Sequence, residues 1–310
     1  MGERAVVVGA TGFLGSHLVR ALVEQRREVL AVCRNPNGAR TVLPTPVTFA
    51  QATLPHAPWE RIFSPGDTVF LLAATRNAPG HNLHDYVAVN VDGVEQLVQA
   101  ARRAGVRRVV QVSTALALDD TAGAWSVYVR TRREGLDRVE AVARDGLDVV
   151  SVLPALVYGP DHALHRNRIT NQVRALLRNR VAWTLGRGDA KRSLVYVRDV
   201  VQALLLAEGV VGCTRLVVAG EELSHAEFNR RVLALAGQVA RVQIPLPRRG
   251  AMLAARLVDG ALGNHPGAGY VAALRTLSAS WRFQTTTGLG LPTTPFDTGA
   301  RETLAFLGRE

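Results

Sequence analysis

Three glycines, Gly9, Gly12 and Gly15, stand at three-residue intervals in "GATGFLG". They follow the apolar run "AVVV" directly and open a helix-length segment, residues 14–25. Gly9 permits a tight turn, Gly12 lets the backbone approach a pyrophosphate, and Gly15 lets the helix pack closely on the strand. The helix N-terminus adds unpaired N–H groups and the positive end of a dipole. The loop therefore predicts a site for the phosphates of a dinucleotide.

The sugar next to those phosphates is read by the end of the second strand. A carboxylate there would bind a ribose 2'-hydroxyl and repel a 2'-phosphate. The segment "AVCRNPNGAR" has no Asp or Glu, and it offers Arg34 and Arg40. Charge-assisted hydrogen bonds contribute roughly 1.5–3 kcal/mol each. NADP(H) is the expected cofactor, with NAD(H) possible.

A phenol and a cation stand four residues apart in "YVRTR". Tyr128, Arg132, Leu136, Val139 and Ala143 share one face of a helix. That face carries the apolar residues and should point at the sheet, while Arg130, Arg133, Asp137 and Glu140 lie largely elsewhere. An arginine on the buried side needs an anion or hydrogen-bond acceptors. The ribose and phosphates of a cofactor are one answer; snorkelling to solvent from the first turn is the other.

These residues need a scaffold. Strand candidates are 5–10, 28–34, 47–51, 68–74, 108–114 and 148–155, with helical patterns at 14–25 and 93–105 between them. Several are continuously apolar, as in a parallel sheet covered on both faces. The alternation predicts an α/β fold, a Rossmann-type doubly wound parallel sheet. After about residue 160 the rhythm changes. Helical patterns at 168–180, 198–208 and 223–237 flank a strand at 193–197, and Ser224 with Glu227 forms a capping-box pattern ahead of Gly237. Residues 260–290 have no clear period. We expect a dinucleotide-binding domain of residues 1–160 with 193–220, and a smaller mixed substrate lobe of 161–192 with 221–310.

Composition narrows the classes. The chain has 310 residues and a net charge of +11, yet Lys191 is its only lysine. The arginine skew looks like codon bias from a GC-rich genome. The basic residues are scattered in pairs without interleaved aromatics, so no nucleic-acid partner is expected. The charge favours an anionic cofactor or substrate. Two cysteines, Cys33 and Cys213, build no disulfide framework, and the eight histidines show no metal-ligand spacing. No metal is expected. The apolar run at 200–211 is interrupted by Gln202, Glu208 and Gly209, and the N-terminus shows no leader pattern. A soluble cytoplasmic protein, monomer or homodimer, with no membrane partner is the expectation.

The segments "GATGFLG", "RNP", "LLAAT", "NVDGVEQLVQAARRAGVRRVVQVST", "YVRTRREGLD", "VLPALVYGP" and "SLVYVRDVVQA" come in a telling order and spacing. By them the chain resembles the short-chain dehydrogenase/reductases, in the atypical or extended branch of epimerase/dehydratase-like members. "LPTTPFDTGARETLAFL" also resembles their C-terminal helix. The resemblance implies a proton-transferring Tyr128 and a carbonyl-polarising hydroxyl, Thr114 or its neighbour Ser113. Arg132 takes the place of the lysine that binds the nicotinamide ribose. The implied cofactor site is Gly9, Thr11, Gly12, Phe13, Leu14, Gly15, Arg34, Asn35, Arg40, Thr53, Leu54, Ala73, Ala74, Thr75, Arg132, Pro154 and Val157. Asn90 and Tyr158 also match family positions and read as structural.

Departures set limits. Thr53 stands where members usually have Asp, Leu153 where many have Arg, and the segment 114–128 is short. Arginine keeps its charge and presents a planar fork. It can bind ribose hydroxyls and stabilise a tyrosinate, but it cannot relay a proton as a neutral amine does. The resulting expectation is an NADP(H)-dependent ketoreductase acting on a medium-sized small-molecule carbonyl, similar to reductases of antibiotic biosynthesis. Arg192, seven residues before Asp199, has the spacing of a diphosphate-binding arginine and keeps open a nucleotide-sugar epimerase or dehydratase holding NAD. The missing lysine keeps open a non-catalytic NADP(H)-binding sensor or scaffold.

Overall fold

The structure is a computed structural model that describes residues 4–76, 81–143, 146–161, 167–240, 242–263 and 269–308. Seven parallel strands form the main sheet: β1 (Ala5–Val8), β2 (Val29–Cys33), β3 (Thr48–Gln51), β4 (Thr68–Leu71), β5 (Arg108–Val112), β6 (Asp148–Pro154) and β10 (Cys213–Val218). Their order is β10-β6-β5-β4-β1-β2-β3. The order reverses at β1, which pairs with both β2 and β4. A crevice at such a reversal, beyond the carboxyl ends of the strands, is where open α/β sheets bind ligands.

Alternate residues of each strand serve opposite faces. Val7, Phe70, Val110 and Val150 join one apolar layer, while Val6, Val69, Val109 and Val149 join the other. The first layer is closed by helices α1 (Phe13–Glu24) and α9 (Val197–Leu206). The second is closed by α3 (Trp59–Ile62), α5 (Val94–Arg103) and α7 (Val127–Ala143). Short helices α2 (Pro36–Ala39), α4 (Leu83–Val87) and α6 (Asp120–Trp125) sit in the connections, and a π-helical turn, Ala88–Gly93, leads into α5.

A smaller sheet joins β7 (Leu156–Tyr158), β9 (Lys191–Tyr196) and β11 (Glu222–Ser224), and a two-stranded one joins β8 (Val181–Leu185) to β12 (Val242–Leu246). Helices α8 (Arg168–Asn179), α10 (His225–Leu235) and α13 (Phe296–Leu307) pack a separate apolar core that includes Val173, Phe228, Val232 and Phe296. The Tyr158 hydroxyl donates to Phe296 O at 3.2 Å, and a Cβ at Gly299 would lie 2.6 Å from that hydroxyl. This close approach seats α13. Ser224 Oγ accepts from Glu227 N, one half of the expected capping box, and Gly237 at φ +65 ends the turn beyond α10.

Residues 260–290 depart from expectation. Helix α11 (Arg248–Ala261) packs on α12 (Tyr270–Ser278), which lies inside the stretch without a visible period. The N-terminus of α12 has no cap of its own; Asp259 of α11 accepts from Tyr270 N and Val271 N at 2.9 and 2.8 Å. A cap supplied by another helix leaves no local signature. Among the described residues, no helix is long and apolar enough to cross a membrane, and no cluster of His, Cys, Asp and Glu could hold a metal ion.

Candidate active site at the carboxyl edge of the sheet

Gly9 ends β1 at φ +89, and a Cβ there would sit 2.8 Å from Ala73 N. At Gly15 a Cβ would sit 2.2 Å from Gly9 O. Only hydrogen fits at either position, so the turn and α1 press together. Gly12 N donates to Gly9 O at 3.0 Å. Gly12 is also the N-cap of α1, and no side chain caps the helix there. The first N–H groups of α1 point out of the sheet edge, flanked by half-buried Thr11, Phe13 and Leu14. A dinucleotide pyrophosphate fits this cradle.

The end of β2 carries Arg34 and Asn35, both exposed. Asn35 Oδ1 accepts from Gly38 N and caps α2. The Arg40 guanidinium lies 4.7 Å from the Phe49 ring centre, over the outer strand. Thr53 is exposed and donates to Leu54 O at 3.4 Å, while Leu54 is buried. Across the crevice, Ala73, Ala74 and Thr75 follow β4, half-buried. Pro154 ends β6 buried, and Val157 lies half-buried in β7. Asn90 accepts from Thr75 N at 2.9 Å and donates to Thr75 O and Thr131 Oγ1 at 3.1 and 3.3 Å. It ties the loop after β4 to α7, a structural task.

Beyond β5 come the hydroxyls. Ser113 is buried, and its Oγ donates to Arg132 O at 3.4 Å. Thr114 is half-buried, and its Oγ1 accepts from Leu116 N. Tyr128 stands half-buried in the first turn of α7, packed against the buried pair Tyr86 and Val127 and against the cluster of Ala122, Val129 and Trp281, which Leu116, Trp125 and Phe283 also border. The sequence leaves this aromatic wall unassigned, because Trp281 arrives from a segment more than a hundred residues away.

Arg132 is buried, 6% exposed, as the spacing predicts. Its Nη2 donates to Val112 O at the end of β5, and its Nε has no partner. Burial pushes its pKa down, and nearby Tyr128 opposes that. Among the described residues, three arginines are this deeply buried: Arg108, Arg132 and Arg192. Arg108 meets Asp148 at 2.7 Å. Arg132 and Arg192 form no ion pair with any described residue. An uncompensated buried charge is expensive, and an anion or a ring of hydroxyls would offset it at either position. At Arg132 the cofactor ribose fits that need.

Arg192 lies on β9, where burial and then Arg168 press its pKa down to about 10. Around it stand Gln172, Ser224 and the apolar side chains of Leu156, Leu194, Leu223 and Phe228. His225, 2% exposed, is pressed to about 4 by burial and then by Arg192. Arg168 and His225 belong to α8 and α10 and are not singled out by the sequence, which treats every histidine as an ordinary polar residue. No motif links them; only the fold brings them to Arg192.

Comparison with known proteins agrees with this geometry. Residues 5–210 match the profile of the NAD dependent epimerase/dehydratase family. The chain is 31% identical over 263 residues to "Sterol demethylase protein B" of Methylococcus capsulatus, covering 79% of this chain and 77% of that one. It is 26% identical over 269 residues to a 4-hydroxy-2-methyl-3-oxo-4-farnesyl-3,4-dihydroquinoline-1-oxide ketoreductase of Stigmatella aurantiaca, covering 82% and 79%. The solved structure of MoeE5 with UDP-glucose and NAD superposes with a TM-score of 0.72 at 25% identity, covering 99% of both chains. The chain belongs to the NAD dependent epimerase/dehydratase family, as an NAD(P)-dependent oxidoreductase of the short-chain dehydrogenase/reductase type.

Proposed function

We propose that the protein is an NADP(H)-dependent reductase of a ketone on a medium-sized, largely apolar metabolite. The observation that carries the reading is the pair on α7: a half-buried Tyr128 one turn from a buried, carboxylate-free Arg132. Arg34 and Arg40, both exposed near the end of β2, support a 2'-phosphate. When bound, the cofactor supplies a hydride to the carbonyl carbon. Tyr128 delivers the proton to the carbonyl oxygen. Thr114 suits the polarising role better than Ser113: its oxygen accepts from Leu116 N, which leaves its hydrogen for the substrate, whereas the Ser113 hydrogen is given to Arg132 O. Arg132 stays charged and holds the ribose. The aromatic wall of Trp125 and Trp281, ring centres 6.2 Å apart, excludes water beside Tyr128. The ketoreductase relative acts on a farnesylated ring system, which agrees with such a wall. A cytoplasmic role in secondary metabolism belongs to the same reading.

The test is NADPH oxidation against a panel of ketones. Tyr128→Phe should lower kcat by about 10²–10⁴ with NADPH affinity unchanged, and Arg132→Ala should weaken NADPH binding. Oxidation indifferent to both substitutions would refute these roles. Tight NADPH binding with no turnover would make the chain a binding module. The Arg192, Arg168 and His225 cluster favours a second reading, an epimerase or dehydratase of a nucleotide sugar. That activity would convert a UDP-sugar with no net consumption of cofactor.

A further inference from the structure

From residue 239 to 263 the outer surface is unusually apolar. Val239, Val242, Ile244 and Leu246 are exposed along and before β12, and α11 adds Leu253, Leu257, Val258 and, at its end, Leu262. Leu257 is 68% exposed, Leu262 61% and Leu253 59%. Single exposed leucines need no explanation, but eight exposed aliphatic side chains within one short segment, Val239 to Leu262, mark a surface suited to meet something apolar.

Helix geometry orders the patch. At 100° per residue, Leu253 and Leu257 lie 40° apart, and Gly250, Ala254, Ala261 and Val258 continue the arc. Ala255 and Asp259 lie on the opposite side and are the buried residues of α11. Arg249 and Arg256, seven residues apart, fall together on one edge of the apolar arc, and both are exposed. The segment 239–263 holds Arg241, Arg248, Arg249 and Arg256 against one acid, Asp259. Asp259 is turned inward to cap α12, and Arg248 pairs with Asp189 at 3.1 Å. The outer face therefore presents aliphatic side chains with arginines at the border and no carboxylate from this segment.

We propose that α11 and β12 form a docking surface for an anionic phospholipid bilayer, on which the protein lies without crossing. A helix with an apolar face and basic flanks settles into the headgroup–acyl boundary. Arg249 and Arg256 can bury their stems while their guanidinium groups reach phosphates. The overall charge of +11 adds long-range attraction to a negative leaflet. A second copy of the chain fits worse, because a two-fold contact brings the same patch, arginines included, against itself. The absence of a spanning helix in the described residues does not bear on a helix that lies in the surface.

The full chain is tested by co-sedimentation with vesicles of phosphatidylcholine alone and of phosphatidylcholine with phosphatidylglycerol, at low and high salt. Anionic vesicles should bind it, neutral ones much more weakly, and salt should weaken the interaction. Leu253→Glu with Leu257→Glu, and separately Arg249→Gln with Arg256→Gln, should each lower vesicle affinity about tenfold or more. NADPH binding should be unchanged in both, which shows that they fold. In Leu257→Trp, the emission of the new indole should shift to the blue on addition of anionic vesicles. Failure of the unaltered chain to bind anionic vesicles overturns the proposal, as does binding that ignores the four substitutions. If the paired Leu→Glu variant instead turns a dimer into a monomer and vesicles have no effect, the face is an interface between copies.

Discussion

Arg132 and Arg192 are alike in burial and unlike in surroundings. Each is less than a tenth exposed, and neither meets a carboxylate among the described residues. Arg132 gives one hydrogen bond to the carbonyl that ends β5 and stands beside a phenol. Arg192 stands beside a second arginine and a histidine. The first arrangement suits a neutral, hydroxyl-bearing partner with a phosphate farther off. The second accumulates positive charge and suits an anion held directly. The proposed reading thus assigns the two arginines to two different ligands, and substitution at each should tell them apart.

The largest effect should appear in stability without ligand. Replacing a lone buried guanidinium by Met removes an uncompensated charge while keeping the stem volume. Arg132→Met and Arg192→Met should each stabilise the ligand-free protein by about 1–4 kcal/mol, a rise of a few degrees in Tm. Arg108→Met should do the opposite, since it strips Asp148 of its partner at 2.7 Å. Added NADPH should raise the Tm of the unaltered chain more than that of Arg132→Met, because binding to the native state adds stability by mass action. Loss of stability in all three variants would mean that the two unpaired arginines are structural.

Ligand affinities should then separate the two sites. By calorimetry, UDP and pyrophosphate should bind the Arg192→Met variant about tenfold more weakly than the unaltered chain, the scale of one charge-assisted hydrogen bond. NADPH affinity should not change. In Arg132→Met the pattern reverses. If Arg192→Met leaves both ligands unaffected, the lobe cluster has no part in binding and the nucleotide-sugar reading falls with it.

The two arginines also show why one site is legible in the sequence and the other is not. Arg132 shares a helix face with Tyr128, Leu136 and Val139, so a period of 3.6 is enough to place it on the sheet side. The glycine loop is equally local: seven residues carry the turn, the close approach and the helix start. Six of the seven strands of the main sheet follow from their apolar runs, each end falling within a few residues of its expected place, whereas β10 (Cys213–Val218), with Thr214 and Arg215 inside it, is not among the strand candidates. Arg192 can be flagged by spacing alone, and its partners cannot. Arg168, Gln172, Ser224 and His225 come from α8 and from the β11–α10 turn, and their meeting depends on how the lobe packs. Trp281 beside Tyr128 and Asp259 capping α12 are of the same kind, contacts between segments with no periodic signal in common.

The smallest effect concerns His225 and follows from the same packing. Its ring lies edge-on to Trp183 with centres 4.9 Å apart, and Gln172 Nε2 is 2.9 Å from its Nε2, a contact that a neutral ring accepts and an imidazolium cannot. Arg192 on β9 faces it as well. Its folded pKa, about 4, lies below the ordinary value of 6.5. The unfolded chain therefore binds more protons between those two values. Stability from this group is fully present above about pH 6.5 and falls as pH drops toward 4, by roughly 1 kcal/mol per pH unit between pH 6 and 5. Urea unfolding at pH 7, 6 and 5 should show that slope, and His225→Gln, which keeps a hydrogen-bonding partner for Gln172, should flatten it. An unchanged slope in His225→Gln would mean that the ring gains its proton without strain, and that the lobe cluster is more open to water than its burial indicates.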